Sequence, residues 1–385
     1  MCERASTVVA THAIPCGAGS GKWPSFVMEP VGRLLNAWLR RCLRYDFSGL
    51  SFHRNPFQLT NGGWFERAYR RYRFRGGYSR LALAPTPDAE QRRMVDELRR
   101  EGTLILQGYL PADTVRTLQR ELQQELEALR FETPCLAQSR IDPQRHRALI
   151  DNYVYGSNED FARQGVAFER AEARSLEQVV RDFHPSTLTV YPLETSETYR
   201  RVWLDPQLLT VVTHYLGLVP SLVEAYARRN FPARFWTMNH FWHRDLNDRH
   251  QLLKMFVFLT DCSVETGPHE YIRRSHRELG ALNGKRYFTD AEIDALHPVG
   301  SPLREVSEVK AGTVILEDTR GLHRARMPDK GFRDLGYAVF FPLPAGPTPA
   351  LYRFPRDAAE RLSTFQRAFI PENIQRSQMP SSHGA

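Results

Sequence analysis

No stretch of this 385-residue chain reaches the roughly 20 uninterrupted apolar residues that a membrane span requires. The N-terminus also lacks the apolar core of a signal peptide, because polar and turn residues interrupt the segment from Val8 to Ala18. A cytoplasmic location is the default expectation. Cysteine is scarce: the five (Cys2, Cys16, Cys42, Cys135, Cys262) are scattered, odd in number and form no CxxC pair. Neither a disulfide framework nor a zinc cage can be read from them. Lysine is sparse too, so the net charge of +8 is carried mainly by arginine. A planar guanidinium matches carboxylates and phosphates. The excess admits an anionic small substrate, and equally nucleic acid, a membrane surface or a solvated exterior.

What is present divides along the chain. Residues 1–30, rich in Gly, Pro, Ser and Ala without periodicity, are expected to be disordered, and Met28 is a candidate true start. Gly17–Lys22 imitates a phosphate loop but lacks its first glycine and its Ser or Thr. Residues 31–85 form a basic extension. Apolar residues from Val31 to Leu43 fall at helical spacing, and Arg67, Arg70, Arg71, Arg73 and Arg75 interleave with Tyr69, Tyr72 and Phe74. Such mixtures can bind single-stranded nucleic acid, though nothing marks a known module.

Asp88 is a plausible cap for a helix ending near Gly102, Thr103–Gln107 reads as a short strand, and Pro111 opens a helix striped by Val115, Leu118, Leu122, Leu126 and Leu129. Asp205-Pro206 begins another that stops at Gly217. Aromatic and β-branched runs then take over at Leu222–Ala227, Arg234–His243, Leu253–Thr260, Glu270–Ile272, Thr313–Glu317 and Leu335–Phe341. Strands after a helical half predict an α+β chain: a sandwich or barrel with helices on one side. The tail beyond 345 holds several prolines and one short helical stretch.

The chemistry-bearing residues are few. His243-Arg244-Asp245 ends a strand-like run, where residues i and i+2 share a face. His323 follows 80 residues later, beyond another strand. Two imidazoles and one carboxylate form the facial triad of non-haem iron(II) oxygenases, which leaves coordination positions for a co-substrate and dioxygen. Arg333, ten residues on, could anchor the far carboxylate of 2-oxoglutarate. A rival H-x-E, His276-Arg277-Glu278, sits in a loop-like stretch. Lys254, Phe256 and Phe258 share one strand face, so if Phe256 faces the cavity Lys254 does too, where it could pair with a carboxylate or phosphate. Both are candidate co-substrate residues, and the alternative for Lys254 is a lysine snorkelling at a strand edge. Arg244, Arg249, Arg320, Arg324 and Arg326 cluster near the ligands in sequence, as an anion-binding rim or as surface charge.

From about Glu101 to Pro342 these motifs resemble the phytanoyl-CoA dioxygenase (PhyH-like) family. The resemblance rests on EGTLILQGYL at 101–110, Tyr215-Leu216-Gly217, His243-x-Asp245, LKMFVFLTD at 253–261, the stretch Gly267–His276, and Gly312–Asp318 leading to His323 and Arg333. It implies a double-stranded β-helix (jelly-roll, cupin-like) core, mainly residues 187–345 of a domain over 86–345, with flanking helices from the N-terminal half. It implies Fe(II), 2-oxoglutarate and O2, release of succinate and CO2, and hydroxylation of a small-molecule or acyl substrate. A carboxylate at Asp245 implies hydroxylation rather than halogenation. Three departures stand out: Arg274 replaces the usual glycine before Ser-His, Phe256 stands where some members have Trp, and Leu335 replaces a serine two after the arginine. Two other readings remain open, a catalytically silent jelly-roll binding protein and a nucleic-acid-associated protein using residues 31–75. Substrate identity and oligomeric state are not encoded in any motif.

Overall fold

The computed structural model describes residues 71–128, 175–232, 238–245, 252–277, 287–343, 352–371 and 374. The helix expected over Val31–Leu43 lies outside them, as do Arg67, Arg70, Leu129, Arg249 and Glu278.

Local capping chemistry builds the N-terminal helices. Helix α1 (Ala89–Glu101) starts from a capping box in which Asp88 accepts from the Gln91 backbone, and it ends on Gly102 at φ 83°. Strand β1 (Thr103–Leu106) follows directly. Helix α2 (Ala112–Ala128) buries the stripe Val115, Leu118, Leu122 and Leu126, each worth about 1.5–3 kcal/mol of transfer energy. Beyond the undescribed stretch come α3 (Leu176–Phe183), β2 (Thr187–Val190) and α4 (Glu197–Trp203). Helix α5 (Pro206–Leu216) has Asp205 as its N-cap and stops at Gly217, as the sequence predicts.

Nine further strands complete two antiparallel sheets: β3 (Ser221–Asn230), β4 (Trp242–His243), β5 (Leu253–Phe258), β6 (His269–Ile272), β7 (Tyr287–Phe288), β8 (Arg304–Val306), β9 (Val314–Glu317), β10 (His323–Ala325) and β11 (Arg333–Phe341). The larger sheet runs β1-β9-β5-β11-β3-β2 and the smaller β7-β4-β10-β6-β8. This is the double-stranded β-helix core. Alternation along each strand divides its two faces. Leu253, Met255, Val257, Ala338 and Phe340 join the helices α1, α2, α4 and α5 in one apolar layer. Phe256, Phe258, Ile315, Leu335, Tyr337 and Val339 point the other way, into the space between the sheets. The C-terminal helices α6 (Arg356–Glu360) and α7 (Thr364–Arg367) add Phe365 and Phe369 to the outer layer. Gly336 is required by close approach, since a Cβ there would sit 2.2 Å from the Trp203 ring.

One expected strand is only partly described, and one departure from the family pattern keeps its turn. Of the segment expected as a strand over Arg234–His243, the described residues form a single turn at Met238–His240 and a two-residue strand at Trp242–His243, while 234–237 lie outside the described residues. The turn where Arg274 replaces glycine keeps the left-handed backbone a glycine would supply, at φ 72°. Glu101 compensates: its carbonyl accepts from the Arg274 N–H at 2.7 Å, and its carboxylate takes both Nε and Nη2 at 3.0 Å. That hydrogen bonding carries the Glu101 carboxyl down to about 2. The pair's contribution is therefore complete above the ordinary 4.5 and fades as pH falls toward 2. Arg274→Ala should lose the pair and keep the strain, whereas Arg274→Gly loses the pair but relieves about 1 kcal/mol of strain. In urea denaturation at pH 7 the Ala variant should be the less stable by that margin. Equal or reversed stabilities would show that the backbone is not held in this conformation.

Candidate metal centre

His243 and His323 come from different strands of the smaller sheet and stand directly opposite each other in the β4–β10 pairing. Their ring centres are 4.2 Å apart. Asp245 lies two residues past His243, beyond the end of β4, so strand alternation alone does not aim it. Its backbone N–H donates to Thr319 O at 2.9 Å, which ties it to the turn leading into β10. The ligand atoms of His243, Asp245 and His323 all lie within 4.8 Å of one another, the one such His/Cys/Asp/Glu group found among the described residues. His243 Nε2 is 3.9 Å from Asp245 Oδ1, and His323 Nε2 is 3.7 Å from Oδ2. The rival His276 is elsewhere, bonded to the Arg99 carbonyl at 3.2 Å.

Tautomers follow from the partners. His243 Nδ1 is 2.8 Å from Phe241 O, and His323 Nδ1 is 3.0 Å from Gly321 O. A carbonyl only accepts, so each Nδ1 carries the proton and each Nε2 turns its lone pair toward Asp245. Burial holds the His323 imidazole well below its ordinary value, and the neighbouring His243 adds to this. Burial by itself would raise the Asp245 carboxyl. The Lys254 ammonium, with His323 and His243, instead holds it far below the carboxylate range. Two imidazoles presenting Nε2 and an ionised carboxylate are a donor set suited to a divalent first-row metal.

The remaining expected residues lie on the inner face of the larger sheet. Lys254 on β5 pairs its ammonium with Asp245 Oδ2. Phe256 packs its ring 4.9 Å from His269 and 5.5 Å from Tyr337. Arg333, at the start of β11, is 2% exposed. Its Nε and Nη1 are buried and find no hydrogen-bond partner among the described residues. Burial lowers it to about 10, so it remains cationic at neutral pH. Orphaned buried donors cost about 1–3 kcal/mol each, and an anionic ligand would satisfy them.

The expected arginine rim divides differently. Arg320 is buried on Asp318, Arg324 pairs with Glu270 and Asp290, Arg326 with Glu270, and Arg244 Nε donates to Arg320 O. These side chains knit the smaller sheet together. Sequence reasoning missed a buried pair from the two sheets, His269 Nε2 with the Glu317 carboxylate at 2.9 and 3.0 Å. A charged residue two past Ile315 on one strand face was its available signal.

The Lys254–Asp245 pair makes a prediction. Breaking a buried pair by removing one partner costs roughly 3–5 kcal/mol. Lys254→Met should show a loss of that order in thermal denaturation with EDTA, and adding Asp245→Asn should recover most of it. Additive losses in the double variant would show that the two groups are not coupled.

Comparison with known proteins follows this geometry. No curated protein matches the sequence. Among solved structures, the epimerase SnoN in complex with Fe3+, α-ketoglutarate and nogalamycin RO shares 17% identity over 66% of this chain and 84% of its own, with a TM-score of 0.43. HygX from Streptomyces hygroscopicus with nickel, 2-oxoglutarate and hygromycin B bound shares 20% over 67% and 89%, at 0.40. EctD from S. alaskensis with 2-oxoglutarate and 5-hydroxyectoine shares 18% over 71% and 89%, at 0.42. The sequence profile of phytanoyl-CoA dioxygenase (PhyH) matches residues 98–327, more than half of the chain. The chain belongs to the phytanoyl-CoA dioxygenase family, and is a 2-oxoglutarate-dependent oxygenase with the family's Fe(II), 2-oxoglutarate and O2.

Proposed function

We propose that His243, Asp245 and His323 hold the Fe(II), that Arg333 anchors the far carboxylate of 2-oxoglutarate, and that the enzyme hydroxylates a small-molecule or acyl substrate. The observation that carries this is the convergence of the three ligand atoms within 4.8 Å, beside a sheet whose inner face also carries a buried guanidinium with donors unpaired among the described residues. Iron and 2-oxoglutarate supply dioxygen activation coupled to oxidative decarboxylation, giving succinate and CO2 while an oxygen atom goes to the substrate.

The chain's own residues bind and orient. The Phe241 and Gly321 carbonyls fix both imidazoles as Nε2 donors. Lys254 keeps Asp245 ionised and positioned, and is the residue best placed to meet a co-substrate oxygen near the metal. Phe256 with Phe258, Ile315 and Leu335 forms an apolar wall that excludes water from the reacting centre. Arg333 offers a buried cationic guanidinium with open N–H groups, a charge-assisted donor for that carboxylate.

Anaerobic titration with Fe(II) and 2-oxoglutarate tests the assignment. The wild type should develop the weak visible charge-transfer band of a chelated keto acid, and Asp245→Ala and His323→Ala should lose it. Arg333→Met should keep iron binding but weaken 2-oxoglutarate at least tenfold, because hydrogen bonds to a charged group are worth about 1.5–3 kcal/mol. An unchanged band in the ligand variants would remove the triad from the metal.

A further inference from the structure

The inner face of the larger sheet carries polar side chains that the metal and 2-oxoglutarate do not use. Alternation along β3 sends Glu224, Tyr226 and Arg228 to that face, with Tyr226 opposite Tyr337 and Arg228 opposite Leu335 on β11. Tyr226 and Tyr337 stack at 4.5 Å, and Tyr191 meets Tyr226 edge-on at 6.3 Å. The Arg228 guanidinium lies 5.8 Å from the Tyr226 ring centre and 5.6 Å from that of Tyr337. Its Nε is buried, with no hydrogen-bond partner among the described residues.

This wall is continuous with the metal centre. The Tyr337 ring is 5.3 Å from Lys254 Nζ, which itself pairs with Asp245. On the other side Tyr337 packs on Phe256, Phe256 on His269, and His269 lies 5.7 Å from His323.

The direction in which Arg228 leans separates it from the co-substrate. Arg333 stands opposite Asn230 at the far end of β11, and Val339 stands opposite Lys254 at the metal end. Tyr337 lies between them, two residues from Val339. By lying over Tyr226 and Tyr337, Arg228 leans toward the metal end, while its charge is still felt at Arg333. Of the arginines suspected of forming a rim, the four that are described, Arg244, Arg320, Arg324 and Arg326, are paired with carboxylates or bonded to backbone. Besides Arg333, Arg228 is the inner-face guanidinium with a buried donor unpaired among the described residues, and it lies beside the tyrosines that adjoin Lys254.

We propose that Arg228 binds a carboxylate of the primary substrate, whose apolar or ring body packs on Tyr226, Tyr337 and Tyr191. The proposal rests on the metal-site reading above, and it makes Arg228 a specificity determinant for small organic acids. A planar fork over an aromatic wall selects a carboxylate from its neutral amide, because the amide cannot satisfy the charge. Glu224, within electrostatic reach of Arg228 and Lys254, disfavours a second anionic group at the same place.

The test uses full-length protein loaded anaerobically with Fe(II) and saturating 2-oxoglutarate. Benzoate and cyclohexanecarboxylate, with benzamide and cyclohexanecarboxamide as neutral counterparts, are titrated against the visible band. The acids should perturb the wild-type band at concentrations at least tenfold below the amides. Arg228→Met should abolish that preference, Arg228→Lys should retain part of it, and the 2-oxoglutarate titration should agree within twofold in all three proteins. Equal response to acid and amide in the wild type, or response to neither, overturns the proposal. So does a tenfold loss of 2-oxoglutarate binding in Arg228→Met, which would assign Arg228 to the co-substrate. A wild type that forms no band fails earlier, at the metal-site reading, and takes this proposal with it.

Discussion

The site depends on one backbone pairing. In the smaller sheet His323 lies directly opposite His243, and no other residues pair β10 with β4. A slip of one residue would send an imidazole to the opposite face of the sheet, so the separation of the two rings follows from that register. Strand β10 is held on its other side by three residues of β6. Thr319, in the turn before β10, accepts from the Asp245 N–H. The same short segment therefore fixes the second imidazole and the carboxylate together.

The two faces of the larger sheet divide structural and chemical work. Its outer face is covered by helices, and Trp203 from α4 reaches across Gly336 to donate its indole N–H to the Tyr337 carbonyl at 3.0 Å. Its inner face carries Lys254, Phe256, Arg333 and the stacked tyrosines. Charges there are of two kinds. Asp245 with Lys254, and Glu317 with His269, are matched within the protein. Arg333 and Arg228 retain buried N–H groups without partners among the described residues. Buried cationic donors left open on a face that adjoins the candidate metal centre point to anionic ligands that complete them.

Legibility in the sequence followed the range of each interaction. The caps at Asp88, Gly102, Asp205 and Gly217 are set by residues within one turn, and all four stand where the sequence put them. Strands long enough to show alternation, such as β3, β5 and β11, were likewise readable. Strands β4 and β7 have two residues each, too few to carry any period, and they exist only through their partners. The H-x-D motif picked out residues that converge with His323, but for an incomplete reason, since a distant carbonyl and Lys254, rather than alternation alone, aim Asp245. The bidentate Glu101–Arg274 contact spans 173 positions, and nothing local at either residue announces the other. The arginine rim failed for a related reason: clustering in sequence does not reveal that Asp318, Glu270 and Asp290 neutralise those charges.

The central claim is that three side chains brought together by one strand pairing support turnover of 2-oxoglutarate. Its most direct test is to incubate the protein with Fe(II), ascorbate and 2-oxoglutarate under 18O2 and weigh the succinate. The account predicts succinate carrying one heavy oxygen from the wild type and none above background from Asp245→Ala. Unlabelled succinate, or equal labelling in the two proteins, would contradict it.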